Sequence, residues 1–263
     1  MKKNELLLPA GDFESLIAAY ENGADAVYLA GQNFGARKYA RNFSIDELYS
    51  GIKLAKAKNK KIFVTINTLL KNAEIHDLLR FLFELRELGV NAVIIQDLGV
   101  YNIIKRFFPE VPIHASTQMA IHNVLGAEIA KKMGIERVIL ARELTAAEII
   151  NIKEKANIEV EIFVAGALCY SYSGLCFYSS FIGGRSGNRG ECAQPCRREI
   201  QGKNFLFSLK DLFYGDREIK KFIEKGIDSF KIEGRMKKYT FVAAMAKIFS
   251  KYLNSEKVDD KER

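Results

Sequence analysis

Residues 61–96 read KIFVTINTLLKNAEIHDLLRFLFELRELGVNAVIIQ, which predicts a β-strand, an α-helix and a second β-strand in succession. The predicted strands, residues 61–67 and 92–96, carry apolar side chains at consecutive positions. That pattern is typical of strands buried on both faces, as in a parallel sheet covered by helices. The helix predicted over residues 74–88 is followed by Gly89, which suits the left-handed turn of a short helix-to-strand loop. This segment therefore predicts one repeating unit of a parallel α/β fold.

The same order of strand, helix and strand recurs along the whole chain. Strand-like apolar runs occupy residues 6–8, 26–29, 61–67, 92–96, 113–117, 137–141, 160–165 and 229–233. Amphipathic helical segments occupy residues 12–22, 44–58, 74–88, 100–107, 123–133, 145–155, 216–225 and 239–253. Eight alternating units predict an α/β protein with a (β/α)8 TIM-like barrel, a single domain over residues 1–263. A doubly wound open sheet is the second choice, because no G-x-G-x-x-G motif follows the first strand.

Residues 166–204 interrupt this alternation, and no helix–strand unit fits them. The segment is rich in glycine, serine, asparagine, arginine and aromatic residues. Long irregular segments inside compact domains are usually functional. Because this one follows the seventh predicted strand, it is expected to lie over the C-terminal face of the barrel, where barrel enzymes build their active sites.

All four cysteines of the chain fall in this segment. They are Cys169, Cys176, Cys192 and Cys196, with six, fifteen and three residues between them. Four thiolates bind either zinc or an iron–sulfur cluster. The C-x2-C pairs of zinc ribbons are missing, and the wider spacing favours a 4Fe–4S cluster over zinc. Four buried free cysteines acting as small apolar side chains are the third reading.

Polar side chains at the C-terminal ends of the predicted strands form a second candidate group. They are His114, Arg142, Glu143, Lys231, Glu233 and Arg235. We assign the three cationic side chains to binding a carboxylate or a phosphate. The histidine is a candidate acid–base group. The alternatives are a ring of structural salt bridges with the two glutamates, and a structural histidine.

The composition limits the partners and the compartment. The formal net charge is +8, which suits RNA or small anions, although lysines on the outer faces of helices explain much of it. Tryptophan is absent, and no aromatic-rich RNA-recognition motif predicts a base-stacking platform. No apolar run reaches the ~18 residues that a membrane span needs, and the first residues do not resemble a signal peptide. We therefore expect a cytoplasmic protein without a membrane partner, in which structural disulfides are disfavoured.

Five segments resemble one known family. Residues 161–176, EIFVAGALCYSYSGLC, are similar to the signature of the collagenase-like peptidases, family thirty-two of the unknown-type peptidases. Residues 184–197, GRSGNRGECAQPCR, extend the match. Shorter matches are HASTQ at 114–118, LAREL at 140–144 and KIEGRMK at 231–237. The resemblance thus covers nearly the whole chain.

The resemblance implies two competing activities. Some members of this family are described as collagen-degrading proteases. Others serve oxygen-independent hydroxylation of tRNA wobble uridine, of a cytidine in large-subunit ribosomal RNA, or of ubiquinone precursors. The hydroxylation members carry a 4Fe–4S cluster on four cysteines, and prephenate is implicated in the RNA reactions. This sequence is most similar to the RNA-hydroxylation branch, particularly to the ribosomal RNA type. Members of that branch continue past the barrel into further domains, which this chain is expected to lack.

The function predicted from the sequence is therefore oxygen-independent hydroxylation of RNA by an iron–sulfur protein, with a prephenate-like carboxylate as donor and an unidentified redox partner. One alternative is a collagenase-like peptidase. A cysteine protease needs a histidine beside its thiolate, and this chain has only three histidines. That mechanism also leaves three cysteines unexplained. The other alternative is a non-catalytic iron–sulfur subunit of a hydroxylase complex.

Overall fold

The computed structural model describes residues 4–198, 202, 211–256 and 258 of the chain. Its parallel strands are β1 (Glu5–Pro9), β2 (Ala26–Leu29), β3 (Lys61–Ile66), β4 (Ala92–Ile95), β5 (Ile113–Ala115), β6 (Arg137–Ile139), β7 (Glu159–Gly166) and β9 (Ser229–Ile232). Each pairs in parallel with its neighbour, and β7 pairs with both β6 and β9, so the ring closes. The predicted (β/α)8 TIM barrel is confirmed, and the open sheet is excluded.

The helices within the described residues are α1 (Phe13–Glu21), α2 (Ile45–Ala57), α3 (Ile75–Leu88), α4 (Leu98–Phe107), α5 (Val124–Lys132), α6 (Ala146–Ala156), α7 (Tyr178–Gly183), α8 (Asp216–Glu224) and α9 (Tyr239–Leu253). All except α7 pack around the barrel, at the positions that the sequence pattern predicts. Local signals fix their ends. Ser44 and Glu47 cap each other's backbone amides at the start of α2, and Gly89 adopts a left-handed φ of 70° after α3.

Two details differ from the sequence prediction. The strand predicted over residues 113–117 stops at Ala115, because the Ser116 hydroxyl accepts a hydrogen bond from the Gln118 amide and starts a turn. A further two-residue strand, β8 (Leu212–Phe213), pairs antiparallel with the end of β7. It is too short to carry a periodic sequence signal.

The apolar core has two parts because alternate residues of each strand face opposite sides of the barrel wall. Leu6 and Leu8 face the surrounding helices, whereas Leu7 lies inside the barrel. The inner cluster is small and consists of Leu7, Ala26, Tyr28, Phe63, Ala92, Ile94 and Ile139, with Phe163 packed against it.

An ionic network fills the N-terminal end of the barrel below this inner cluster. The Arg137 guanidinium donates to Glu5 at 2.5 Å and to Glu161 at 3.1 Å, and it also pairs with Glu159. Lys231 donates to the other oxygen of Glu161 at 2.9 Å. Burial by itself raises the pKa of Glu5, but the adjacent Arg137 outweighs it and holds that pKa below its ordinary value. We call these five residues the lower ionic network.

Candidate functional site

The cysteine segment leaves the barrel at the end of β7 through a glycine. Gly166 has a φ of 111°, and a β-carbon there would lie 2.6 Å from the carbonyl oxygen of Glu233. A second glycine brings the segment back against the loop after β2. Gly190 has a φ of 79°, and a β-carbon there would lie 2.5 Å from the carbonyl oxygen of Gly35. Side chains are therefore excluded at both positions, one at each end of the described crossing.

Residues 166–198 run across the C-terminal mouth of the barrel and are largely irregular, as predicted. They contain the short helix α7 and three single turns of 3-10 helix. The last part of the predicted segment, residues 199–201 and 203–204, lies outside the described residues. The Asn188 carbonyl accepts hydrogen bonds from the Leu69 amide at 3.1 Å and from the Gln96 side chain at 3.4 Å. Arg189 forms an ion pair with Glu74 at 2.6 Å. These contacts fasten the segment to the loops after β3 and β4.

Glu143 fastens the other side of the segment. Its carboxylate accepts hydrogen bonds from both the backbone amide and the hydroxyl of Ser173, the latter at 2.7 Å. Ser173 is fully buried and has a φ of 43°, a conformation that a residue other than glycine rarely adopts. The carboxylate therefore holds the turn between Cys169 and Cys176 in place.

A cavity of about 1100 Å³ lies between the cysteine segment and the barrel. Its floor is formed by strand side chains that include Tyr28, Thr65 and Phe163. Four of the six polar residues predicted for the site line it, namely Arg142, Lys231, Glu233 and Arg235. All four cysteines line it too, so the structure brings the whole predicted ligand set to one cavity.

The four thiols differ in their surroundings. Cys169 and Cys192 are exposed, whereas Cys176 and Cys196 are half-buried. The Cys176 sulfur accepts a hydrogen bond from the Tyr178 amide at 3.3 Å. Burial, with the neighbouring cysteines 169 and 192, raises the pKa of the Cys196 thiol. Among the described residues, no three histidine, cysteine, aspartate or glutamate side chains meet around the position of a single metal ion.

The chemistry of this donor set fits a thiolate-bound iron–sulfur cluster. Such a cluster requires cysteine ligands and is tuned by backbone amides that donate to sulfur. The amides of Tyr178 and Gln194 already donate to Cys176 and Cys192, the second at 3.4 Å. A half-exposed rim of thiols around an open cavity also provides space for a group larger than one ion.

Three guanidinium groups that line the cavity form no ion pair among the described residues. They are those of Arg142 and Arg235 at the strand ends and that of Arg185 in the cysteine segment, which donates to the Glu191 backbone carbonyl at 2.9 Å. Arg235 is only 4% exposed, and its hydrogen-bond partner is the Thr65 hydroxyl at 3.3 Å. Burial and the nearby Arg37 lower the pKa of Arg235 to about 10, which leaves it protonated at neutral pH. Arg142 donates to the Ala167 carbonyl at 2.8 Å, and burial lowers its pKa. A buried cation without a counter-ion is costly, so this wall suits an anionic ligand.

The comparison with known proteins places this arrangement in a family. The family model described as Peptidase family U32 matches residues 11–263. The chain belongs to peptidase family U32. The solved structure of the U32 peptidase Mk0906 superposes with a TM-score of 0.62 at 13% identity, over 89% of this chain and 94% of that chain. At that identity the superposition shows the shared fold alone.

Two curated relatives of this U32 chain carry names that refer to RNA. The tRNA hydroxylation protein P1 of Bacillus subtilis (strain 168) is 40% identical over 270 residues, which cover 97% of this chain and 64% of that protein. The 23S rRNA 5-hydroxycytidine C2501 synthase of Escherichia coli (strain K12) is 38% identical over 250 residues, which cover 90% of this chain and 37% of that protein. The U32 chain thus spans less than two thirds of the length of either relative.

Two of the predicted site residues do not line the cavity of this U32 barrel. Glu143 is engaged with Ser173, as described above. His114 is buried inside the barrel with its ring centroid 4.7 Å from that of Phe63, and its Nδ1 atom has no hydrogen-bond partner. Burial, reinforced by Arg137 and Lys231, lowers the pKa of His114 well below 6.5, so the ring is neutral. Its acid–base role stays a prediction.

Arg37 is one of several charged cavity residues that the predicted site did not include. Arg37 lies in the connection between β2 and α2 and donates to Glu233 at 3.1 Å, a partner 196 positions away. The length of that connection, residues 30–44, was the available signal, since loops at the C-terminal ends of barrel strands build active sites.

None of the helices within the described ranges combines the length and the apolar character needed to cross a bilayer.

Proposed function

We propose that this U32 chain takes part in the oxygen-independent hydroxylation of an RNA base, as an iron–sulfur enzyme that uses a prephenate-like carboxylate as donor. The observation that carries the proposal is one cavity lined by four thiols and, at the strand ends, by two guanidinium groups that form no ion pair within the described part of the chain. The names of the relatives, which refer to hydroxylation of tRNA and of 23S rRNA, support RNA as the substrate. The position of the cavity at the C-terminal face agrees with the general location of barrel active sites.

In this proposal the cluster ligands are Cys169, Cys176, Cys192 and Cys196. Replacing a C–H bond of a base by a C–OH bond, with the oxygen delivered from the donor at the oxidation level of water, releases two electrons and two protons. A 4Fe–4S cluster on these thiolates would pass the two electrons, one at a time, to an oxidised redox partner. The Glu143–Ser173 contact and the Arg189–Glu74 ion pair hold in place the segment that carries these four cysteines. Zinc on the same thiols is the alternative occupant.

The donor subsite in this proposal is the pair Arg142 and Arg235. A guanidinium binds a carboxylate through two parallel hydrogen bonds, and both groups have donors left after their contacts with protein oxygens. Lys231 lies on the same wall but is already paired with Glu161 at 2.9 Å. Arg37 is paired with Glu233. Arg142 and Arg235, which form no ion pair in the described ranges, are therefore the groups at the strand ends that a carboxylate ligand neutralises.

The test combines a spectrum with an RNA assay. The protein is purified without oxygen, its absorption spectrum is recorded, and iron and sulfide are quantified. RNA from cells that express this chain in place of their own enzyme is then analysed by mass spectrometry. We expect a broad visible band and base hydroxylation, both lost in Cys192→Ser and both kept in Ser186→Ala, a control in the same segment. A colourless anaerobic protein with zinc bound, or hydroxylation that survives Cys192→Ser, would contradict the proposal.

The peptidase alternative has the family name in its favour. Its chemistry needs a thiolate activated by a nearby imidazole. Within the described residues no hydrogen bond joins a histidine ring to a thiol: the His122 Nδ1 atom faces the Ala120 carbonyl, and His114 is buried against Phe63. Cleavage of a fluorescent gelatin substrate by the purified chain, abolished by one cysteine substitution alone, would favour the peptidase.

The other alternative is a non-catalytic role as a partner subunit. In that case hydroxylation would be observed only after a second subunit is added.

A further inference from the structure

Aromatic side chains with high exposure lie in the loops at the C-terminal end of the barrel and at the start of α9. They are Tyr39, Tyr170, Tyr172, Phe177, Phe181 and Tyr239, of which Phe177 is 69% and Phe181 is 88% exposed. Scattered exposed apolar residues are ordinary on a soluble protein, but a concentration around one opening indicates an interaction site. We call this group the aromatic rim.

The aromatic rim is continuous with the cavity. Tyr39 and Tyr170 both line the cavity while about half of each side chain remains exposed. They come from different sides of the mouth, because Tyr39 follows β2 and Tyr170 follows β7. Arg185 stacks on the Tyr39 ring, with its guanidinium carbon 4.7 Å from the ring centroid. A planar ligand at the entrance therefore meets an aromatic ring on each of two sides of the mouth.

Cationic side chains are interleaved with these rings. The ones at the mouth are Lys38, Arg185, Arg197, Arg198, Lys237 and Lys238. Two of them are paired, Lys38 with Glu191 at 2.5 Å and Arg197 with Asp211 at 3.0 Å. Counting only residues that the structure describes, the cations exceed the acidic partners, so the rim favours an anionic ligand over an apolar protein surface. Rings that alternate with arginine and lysine are the chemistry by which proteins bind unpaired nucleic acid.

We propose that the aromatic rim binds the unpaired nucleotides of an RNA loop, with bases stacked on the rings and phosphates beside the cations. This inference rests on the proposed function and adds the contact surface and the form of the RNA. A base inside a duplex does not reach a cavity of this kind, so the target base must leave its stack. Proteins that recognise RNA by stacking select loops and single strands, whose bases are free to do so.

The experiment measures binding rather than catalysis. A fluorescein-labelled single-stranded RNA of twelve nucleotides, and a duplex of the same sequence, are titrated with the 263-residue chain and followed by fluorescence anisotropy. The test variants are Tyr39→Ala and Phe177→Ala, and the conservative variants are Tyr39→Phe and Phe177→Tyr. The matched control is Phe107→Ala. Phe107 is 53% exposed and has the Arg106 guanidinium 5.3 Å from its centroid, but it ends α4 at the opposite end of the barrel.

We expect each alanine variant at the rim to weaken binding of the single strand by about fivefold to a hundredfold, in line with the loss of one stacked base. The conservative variants and Phe107→Ala should bind as the unaltered chain does, and the duplex should bind more weakly than the single strand. Equal affinities of the Tyr39→Ala, Phe177→Ala and Phe107→Ala variants for the single strand would overturn the inference. It would also be overturned if the unaltered chain bound the duplex as tightly as the single strand. Ring-dependent binding without any hydroxylation would retain the rim and reject the proposed function.

Discussion

At the N-terminal end of the barrel, Arg137 is surrounded by three glutamates, whereas at the C-terminal end Arg235 is buried beside Thr65 without an acidic partner among the described residues. Both guanidinium groups are almost inaccessible to water. Burial of an ion is tolerated when hydrogen-bonded counter-charges surround it, and the lower ionic network meets that condition. Arg235 in the cavity does not meet that condition within the described part of the chain. The lower charges therefore stabilise the fold, whereas the upper charges are the ones that the proposed function assigns to a ligand.

The largest expected effect is on the lower ionic network. Arg137→Met leaves Glu5 and Glu161 with less compensation in a buried site, and we expect the free energy of unfolding to fall by about 3–5 kcal/mol. Urea denaturation followed by circular dichroism measures it. Arg41→Met, which breaks an exposed pair with Glu47, should cost less than about 1 kcal/mol. If the free energy of unfolding falls by a similar amount in both variants, Arg137 contributes no more to stability than an exposed charge does.

A smaller effect is expected where Glu143 fastens the cysteine segment. Glu143→Gln removes the negative charge and replaces one acceptor oxygen by an NH2 donor. The Ser173 hydroxyl must then accept instead of donate, and both hydrogen bonds lose their charge assistance. Hydrogen bonds to charged groups contribute about 1.5–3 kcal/mol. We therefore expect hydrogen exchange in residues 168–176 to accelerate by roughly tenfold to a hundredfold. In Glu148→Gln, which alters only the exposed cap of α6, exchange there should be unchanged.

His114 lies between the two ends and links stability to pH. Its pKa in the folded protein is well below the ordinary 6.5, so the unfolded chain takes up the proton first as the pH falls. Stability from the neutral ring is complete above pH 6.5 and is lost below it, by at most about 1.4 kcal/mol per pH unit. His114→Leu should flatten this part of the stability profile. The exposed His76→Gln should leave it intact, and an unchanged profile in His114→Leu would contradict the assignment.

The smallest effect on stability is expected at Arg235. Arg235→Met removes a buried cation that has no counter-ion, so the free energy of unfolding should change by less than about 1 kcal/mol or increase. Binding of prephenate, measured by calorimetry, should weaken at least tenfold because a charged hydrogen-bond donor is lost. A loss of stability as large as that of Arg137→Met would show that the mouth is a structural ionic site after all.

Much of the barrel was predictable because its signals are local. Eight runs of consecutive apolar residues marked the eight barrel strands, and Gly89 marked the end of α3. The short strand β8 and the helix α7 were not predicted, since two and six residues carry too little periodicity. At the site, the clustering of the cysteines predicted that they belong together, and the structure places them on one cavity.

The pairing of the charges was not predictable in the same way. Glu143 was expected to accompany the arginines, but it fastens the turn at Ser173. The contact of Arg37 with Glu233 joins residues at opposite ends of the chain, and so does the contact of Ser229 with Glu5, which are 224 positions apart. The aromatic rim was likewise invisible, because its rings come from separate loops that meet only at the mouth of the barrel.

The number and order of the eight barrel strands, the ends of the helices around them and the identity of the candidate cluster ligands follow from the sequence, because each depends on residues close together in the chain. Tertiary structure alone decided which arginine is neutralised and which is left without a partner. That outcome depends on strand register and on the closure of β9 against β1 and β7, which set the distances between side chains remote in sequence. A charge is structural or available for a ligand only through those distances.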